Sequence, residues 1–196
     1  KLKDEEGKIL HPKNYLKILD KLRVMSDYDL LAIKTIIKLA QNKKSYALQI
    51  SPTTPRHNTY LYKITELIKD KDLKLLFIIS ENEYYQQIDR FNNILQELRE
   101  LGIKIAIDRV GLLNTSFLYF KNLKVDMIRF SSSLVKEIDD GKNLIIIDGF
   151  SKMAKSVEVL SWVKLVEDEQ RYKKLETVGL DFFQGKFLAN IKEEKI

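Results

Sequence analysis

The residues best suited to chemistry in this sequence follow a short apolar segment near the middle of the chain. Residues 103–107 are mostly apolar and lead directly into Asp108, which Arg109 follows at once. A carboxylate at the end of a buried strand can offer oxygen ligands to a hard cation such as Mg²⁺. The neighbouring guanidinium would oppose such a cation. Asp108 and Arg109 therefore mark a candidate site of mixed charge.

Similar polar positions follow the other predicted strands. Short apolar segments predict strands at 46–50, 73–79, 103–107, 125–130, 157–163 and 180–183. The polar residues that follow them are Ser51, Ser80 with Glu81, Asp108 with Arg109, Arg129 with Ser131, Lys164 with Glu167, and Gln184. In a parallel α/β fold the carboxyl ends of the strands share one edge. We therefore expect these side chains to surround a common cleft.

Longer amphipathic segments lie between the strands and predict helices. They cover residues 12–22, 27–41, 59–69, 84–101, 132–138, 143–155 and 168–178. Gly102, directly after the fourth segment, suits the left-handed end of a helix. The regular succession of strand and helix favours a parallel α/β fold. A length of 196 residues with 44% hydrophobic content predicts a single domain.

Composition argues against several classes of protein. The sequence has no cysteine, so it can form neither disulfides nor thiolate metal centres, which fits a cytoplasmic protein. It has no apolar run of roughly 18 residues, so we expect no membrane contact from this segment. The net charge of +6 comes from lysines spread along the chain, and we therefore expect no nucleic-acid binding.

Some side chains with reactive groups receive structural interpretations. His11 and His57 have no third ligand at zinc spacing and are expected on the surface. Ser131, Ser132 and Ser133 are expected to form a helix N-cap, because no base lies nearby in sequence to activate a hydroxyl. Trp162 lies in a predicted strand and is expected to pack in the core.

Four segments carry motifs in a fixed order: LGIKIAIDRVGLLNTSFLYF at 101–120, VDMIRFSSSLV at 125–135, VKLVED at 163–168 and LETVGLDFFQG at 175–185. They resemble LGxxIALDDFGTGxSSLxYL, VDxxKIDxxFV, the AEGVE segment and LGxDxxQG of the EAL family of bacterial cyclic-di-GMP phosphodiesterases. The resemblance implies a TIM-like (β/α) barrel of EAL type. The Glu-Ala-Leu strand of the family has no counterpart, so we expect the barrel to lack its first strand or strands. Residues 1–196 would then form one EAL-like domain that is truncated at its N-terminus relative to the family.

The EAL family hydrolyses its substrate with two divalent cations, which make hydroxide from water and neutralise charge on the phosphate. The family's ligands are the Glu of the first strand, the Asn of NxS, the first Glu of EITE, the paired Asp of DDFG and the first Glu of AEGVE. Four of these positions are degenerate in this chain: Gln49, Ile78, Arg109 and Lys164. An isoleucine cannot ligate a cation, and two positive side chains repel one. The resemblance therefore predicts no catalytic residue, metal or cofactor; an active site would need Mg²⁺ or Mn²⁺, with Asp108 as a ligand.

Five positions keep the family's residue or its charge: Glu81, Asp108, Arg129, Glu167 and Gln184. We expect them to form a ligand-binding or vestigial site. The carboxylates of Asp108 and Glu167 are expected to pair with cationic side chains, because a buried carboxylate needs compensation. The candidate cations are Arg109, Arg129 and Lys164.

These substitutions favour a degenerate, catalytically inactive EAL domain that acts as a regulatory or binding module in bacterial cyclic-di-GMP signalling. The expected partners are a protein or other domains of a longer cytoplasmic signalling protein, and a homodimer stays open. Two alternatives also stay open. One is an active metal-dependent cyclic-di-GMP phosphodiesterase. The other is a receptor that binds cyclic-di-GMP without cleaving it and meets the phosphates with Arg109, Arg129 and Lys164.

Overall fold

Six parallel strands form the centre of the fold. The computed structural model describes residues 2–39, 45–80, 88–111, 122 and 124–189. The strands are β1 (Ser45–Ile50), β2 (Lys74–Ser80), β3 (Lys104–Val110), β4 (Met127–Phe130), β5 (Leu160–Lys164) and β6 (Phe182–Gln184). Each strand pairs in parallel with the next one along the chain. The prediction of a parallel α/β fold is confirmed.

The helices lie between the strands along the chain. They are α1 (Pro12–Lys21), α2 (Met25–Leu39), α3 (Thr53–Arg56), α4 (Asn58–Ile68), α5 (Ile88–Glu100), α6 (Ser132–Lys136), α7 (Lys142–Ser156) and α8 (Glu169–Glu176), with a 3₁₀ turn at Ile138–Asp140. The start of the predicted helix 84–101 lies outside the described residues. Helix α3 was not predicted, because a single turn is too short to show a helical period. None of the helices in the described ranges is long and apolar enough to cross a bilayer.

Strand β5 begins later than the sequence predicts, and the cause is the end of helix α7. Val157 is the C-cap of this helix, and its N–H donates to the carbonyls of Ala154 and Lys155. Glu158 then takes a left-handed conformation, with a φ of 60°. Extended backbone is therefore not reached until Leu160.

The strands present different residues to the two faces of the sheet, because successive side chains alternate. Outward-facing residues such as Phe77 and Ile105 are fully buried in the main core. A smaller buried cluster consists of the inward-facing Ile78, Ala106 and Met127. The same alternation places Asp108, Arg129 and Lys164, near the carboxyl ends of β3, β4 and β5, on the concave face.

The sheet curls so that its two edge strands face a common space. Ser45 of β1, Lys104 of β3 and Phe182 of β6 line one cavity of about 670 Å³. The described strands therefore form a curled half-barrel, with β1 and β6 at its edges. This architecture confirms the expected TIM-like barrel that is present only in part.

Candidate functional site

Asp108 and Arg129 form a two-pronged ion pair at the carboxyl end of the sheet. They lie opposite each other in the register of β3 and β4. Arg129 Nε donates to Asp108 Oδ1 at 2.8 Å, and Arg129 Nη2 donates to Asp108 Oδ2 at 2.8 Å. Both residues are buried. The prediction that a cation of the protein holds Asp108 is confirmed.

Lys164 approaches the same carboxylate from β5. Its Nζ lies 3.1 Å from Asp108 Oδ1 and 3.4 Å from Oδ2. The Lys164 side chain is 22% exposed, whereas that of Asp108 is only 6% exposed. Each carboxylate oxygen therefore accepts from two cationic groups, and the Lys164 side chain remains partly exposed.

Arg129 is fixed by two further partners on the concave face. Its Nη2 donates to Gln49 Oε1 at 3.1 Å, which brings the degenerate position on β1 into the site. The guanidinium carbon lies 4.6 Å from the ring centroid of Trp162, its neighbour in the register of β4 and β5. A guanidinium stacks well on an indole face. Trp162 is half-buried and packs on the inner apolar cluster, so it has both the expected core role and a contact in the site.

The pKa values of the site reflect both burial and the nearby charges. Burial alone would raise the pKa of Asp108, but hydrogen bonding and charge from Arg129, together with Lys164, hold it below its ordinary value. Burial lowers the pKa of Lys164; Asp108 opposes the shift, while the charges of Arg129 and Arg109 add to it. One carboxylate thus does not balance the cations around it.

Arg109 occupies a bulge and takes no part in the ion pair. Asp108 pairs with Arg129 and Val110 pairs with Phe130, so Arg109 is an extra residue in β3. Its φ is 69°, and its side chain is exposed. Within the described part of the chain it forms no ion pair. Of the three cations predicted to hold Asp108, Arg129 and Lys164 therefore do so and Arg109 does not.

The remaining predicted positions have different environments. Ile78 is buried in the inner cluster, where its side chain forms apolar floor beneath the ion pair. Gln184 is exposed at the end of β6. Glu167 is also exposed and lies 3.9 Å from Arg171 Nη1, so its predicted pairing with Arg109, Arg129 or Lys164 is wrong. The reason is that Glu167 lies just before α8, and Arg171 in the first turn of this helix reaches it locally. Glu81 lies outside the described residues.

Gly185 fixes the loop that carries Glu167 against β6. A Cβ at Gly185 would overlap the backbone of Val166, so no larger residue fits there without displacement. Val166 N–H donates to the carbonyl of Gln184 at 3.0 Å, and Phe187 N–H donates to the carbonyl of Val166 at 3.2 Å. The end of β5 and the end of β6 are thereby joined beside the ion pair.

Two cavities adjoin the ion pair. The larger, of about 1090 Å³, is lined by Asp108, Arg109, Ser131 and residues of α1 and α2. The smaller, of about 490 Å³, is lined by Glu167, Gln184 and the segment that follows β6. Arg129 and Lys164 line both cavities. The expected common cleft is confirmed only in part, because Glu167 and Gln184 line the smaller cavity and not the larger one.

Asp29 of α2 is a site residue that sequence reasoning missed. It is buried and accepts hydrogen bonds from Ser51 N–H at 2.8 Å and from the Thr54 hydroxyl. Burial raises its pKa to about 6, although these two hydrogen bonds act in the opposite direction. It lines the larger cavity and holds the segment after β1 in place. Its only signal in the sequence is an acidic residue next to the buried Leu30 of an amphipathic helix.

Two of the structural interpretations are also confirmed. Ser131 caps α6, because its hydroxyl accepts from Ser133 N–H at 3.3 Å. His11 and His57 are both exposed, and His11 caps α1 through Nδ1. Among the described residues, no three His, Asp or Glu side chains are grouped so as to hold a metal ion. The donors around Asp108 are cationic, a set that suits an anion and not a metal.

The sequence is similar to those of several cyclic di-GMP phosphodiesterases. The sequence profile of the EAL domain matches residues 1–190. Cyclic di-GMP phosphodiesterase PdeF of Escherichia coli is 23% identical over 195 residues, which cover 94% of this chain and 26% of that protein. The chain spans between 22% and 29% of the length of the curated phosphodiesterases that it matches.

Solved structures share the fold. The FimX EAL domain from Pseudomonas aeruginosa bound to c-di-GMP gives a TM-score of 0.88 at 23% identity, covering 96% of this chain and 80% of that chain. The manganese/cy-diGMP complex of Klebsiella pneumoniae BlrP1 gives 0.76 at 21% identity, covering 93% and 48%. Because the EAL domain profile matches residues 1–190 and the fold matches the FimX EAL domain, the chain belongs to the EAL domain family.

Proposed function

We propose that this EAL domain is catalytically inactive and acts as a regulatory or binding module in a cyclic-di-GMP signalling protein. The observation that carries the proposal is the state of Asp108, whose two oxygens are both occupied by Arg129 and Lys164. A divalent cation could bind this carboxylate only if it displaced the side chains of Arg129 and Lys164, which belong to β4 and β5.

The energetic cost of such displacement is large. Two unit charges 4 Å apart interact by about 4 kcal/mol at an effective dielectric constant of 20, and a dication doubles that repulsion. Lys164 and Arg129 lie within hydrogen-bonding distance of the carboxylate, so both would repel the ion. Metal-assisted hydrolysis needs a bound water of lowered pKa, and without the metal the water stays a poor nucleophile.

The other degenerate positions support the same conclusion. Ile78 offers an apolar surface, and the amide oxygen of Gln49 is already used by Arg129. Neither side chain supplies a negative charge for a cation. The residues around the carboxyl end of the sheet therefore suit a protein that binds or transmits a signal better than one that hydrolyses a phosphodiester.

The comparisons support cyclic-di-GMP as the signal. FimX and BlrP1 share this fold and were solved with that dinucleotide. The larger cavity, of about 1090 Å³, is big enough for a sizeable ligand. We assign residues 1–196 to one domain of a cytoplasmic protein whose other domains, or a protein partner, receive the signal.

A second candidate function is a receptor that binds the dinucleotide without cleaving it. The cationic lining of the cavity favours it, because Arg109, Arg129 and Lys164 line the cavity and are suited to phosphate oxygens. In that case the ligand itself would be the input to the regulatory module.

The experiment that tests the proposal is a hydrolysis assay. Purified protein is incubated with cyclic-di-GMP and Mn²⁺ or Mg²⁺, and the products are separated by chromatography, with PdeF as the active control. We expect no linear dinucleotide. Turnover at about one per second, in the ordinary range for enzymes, would establish the phosphodiesterase alternative instead.

A further inference from the structure

The concave face of the sheet has an apolar region near the amino ends of the strands, away from the ion pair. This region is the floor of the cavity of about 670 Å³ that β1 and β6 border. The floor consists of Leu76, Met127, Leu160 and Trp162, which all belong to the inner apolar cluster. A ligand in this cavity would therefore place apolar atoms against the inside of the half-barrel.

Two lysines, Lys74 of β2 and Lys104 of β3, lie at the rim of the same cavity. Both are exposed. Lys74 shares a face of the sheet with Leu76, and Lys104 shares it with Ala106, because side chains two residues apart in a strand point the same way. Lys104 lies opposite Leu76 in the register of β2 and β3, so these two rim lysines are diagonal neighbours on the concave face.

The charge of the rim lysines is not balanced by acidic side chains of the described residues. None of the Asp or Glu residues in the described ranges lines this cavity. Asp126, directly before β4, pairs with Arg99 and accepts from Ile105 N–H. Asp181, directly before β6, accepts from the N–H and the hydroxyl of Ser161. Neither rim lysine forms an ion pair with another described residue.

An apolar floor beneath two cations selects one kind of small ligand. The cavity volume of about 670 Å³ lies in the range of small-molecule sites, which combine an apolar lining with a few polar groups. A peptide strand added to the edge of β1 or β6 is the competing occupant. Backbone hydrogen bonds would hold such a strand, and they do not depend on the rim lysines. The charge of the rim therefore favours a small molecule with an anionic group.

We infer that this cavity binds an amphipathic anion, a molecule whose slender apolar chain packs on the inner cluster and whose anionic head group meets Lys74 and Lys104. The inference goes beyond the proposed function and does not depend on it, because Asp108, Arg129 and Lys164 do not line this cavity. Binding is non-covalent. A ligand in this position contacts both edges of the half-barrel and should stabilise the folded state.

Fluorescence titration provides the test, because Trp162 lines the cavity and is the only tryptophan of the chain. The probes share a ten-carbon chain and differ in the head group: decanoate, decyl phosphate, decanol and decyltrimethylammonium. Each is used below the concentration at which it forms micelles. Hexanoate and octanoate test the dependence on chain length.

Three variants remove the proposed contacts to the head group: Lys74→Gln, Lys104→Gln and the double substitution. Lys34→Gln is the matched control, because Lys34 is an exposed lysine of α2 that does not line this cavity. The rim lysines are also exposed, so the variants should fold, and thermal unfolding of each protein checks this.

We expect an anionic probe to change the emission of Trp162 and to raise the melting temperature of the wild-type protein. From hexanoate to octanoate to decanoate, the affinity should rise by about tenfold at each step, since each step buries two more methylene groups. Lys74→Gln and Lys104→Gln should each weaken binding by about threefold, as expected for an exposed ion pair. Lys34→Gln should bind like wild type. The tighter of decanoate and decyl phosphate identifies the head group.

Several results would overturn the inference. Equal affinities for decanol and both anions, or tighter binding of decyltrimethylammonium, would show that the rim lysines do not select charge. Unchanged affinity in the double variant would show the same. If neither anion binds, the site is refuted and a strand of another polypeptide becomes the better occupant. Hydrolysis of cyclic-di-GMP would refute the proposed inactivity and leave this site unaffected, so the two failures can be told apart.

Discussion

Arg129 and Asp108 face each other across neighbouring parallel strands and share two hydrogen bonds of 2.8 Å. The planar guanidinium matches both carboxylate oxygens at once, which a lysine at this position could not do. Because both residues are buried, removing either one would leave a buried charge without its partner and lower the free energy of unfolding. The stability of the fold should therefore depend on each partner.

Neutralising the acid of this pair should destabilise the protein. In Asp108→Asn the buried guanidinium loses its counter-charge, and we expect the free energy of unfolding to fall by about 1–3 kcal/mol. Urea denaturation measures the change. Asp148→Asn is the control, because it breaks only the exposed pair with Lys152, and it should cost about 0–1 kcal/mol. Equal losses in the two variants would refute a special role for Asp108.

Replacing Arg129 with lysine should also destabilise the protein, although the charge is kept. The variant loses one of two parallel hydrogen bonds and the stacking on Trp162. We expect a loss of about 1–3 kcal/mol, together with a change in fluorescence, since Trp162 is the only tryptophan. Arg99→Lys is a matched control, because Arg99 makes a partly exposed pair with Asp126. An unchanged emission spectrum in Arg129→Lys would contradict the stacking.

Asp29 should give the protein a pH dependence of the opposite sign to that of a salt-bridged acid. Burial raises its pKa from 3.8 to about 6. The folded state therefore binds the Asp29 proton more tightly than the unfolded state does. Protonated Asp29 contributes its full share to the free energy of unfolding below the pKa of the unfolded state. That contribution is lost as the pH rises through the pKa of the folded state.

The variant Asp29→Asn tests this sign. The amide oxygen can still accept from Ser51 N–H and the Thr54 hydroxyl, but it carries no charge. Its stability relative to wild type should rise by about 1–3 kcal/mol between about pH 4 and pH 7, since each pKa unit is worth about 1.4 kcal/mol. Parallel stability curves for the two proteins over this range would show that folding does not raise the pKa of Asp29.

The positions of the strands and of the main site residues could be predicted, because short apolar segments mark the strands and a polar residue marks the end of each one. Asp108, Arg129 and Lys164 each lie at the carboxyl end of an apolar strand, and the strand period alone turns them to one face. Gly102 likewise ends α5 with a φ of 79°, as its position in the sequence indicated.

The pairing of these side chains could not be predicted in full, because it depends on register. Arg109 is next to Asp108 in sequence, yet the bulge leaves it out of register with β4, and its exposed side chain forms no ion pair with Asp108. Glu167 pairs with Arg171 because this arginine lies in the first turn of the helix that begins two residues after Glu167. Asp29 belongs to the site only through contacts with Ser51 and Thr54, which are distant in sequence.

The most direct measurement of the central claim is a calorimetric titration of Mn²⁺ into the protein, with and without cyclic-di-GMP. If Arg129 and Lys164 occupy Asp108, no saturable Mn²⁺ binding should appear, and EDTA should leave the melting temperature of the wild-type protein unchanged. Saturable Mn²⁺ binding that Asp108→Asn abolishes, or a lower melting temperature in EDTA, would contradict the account and identify a metal-dependent domain.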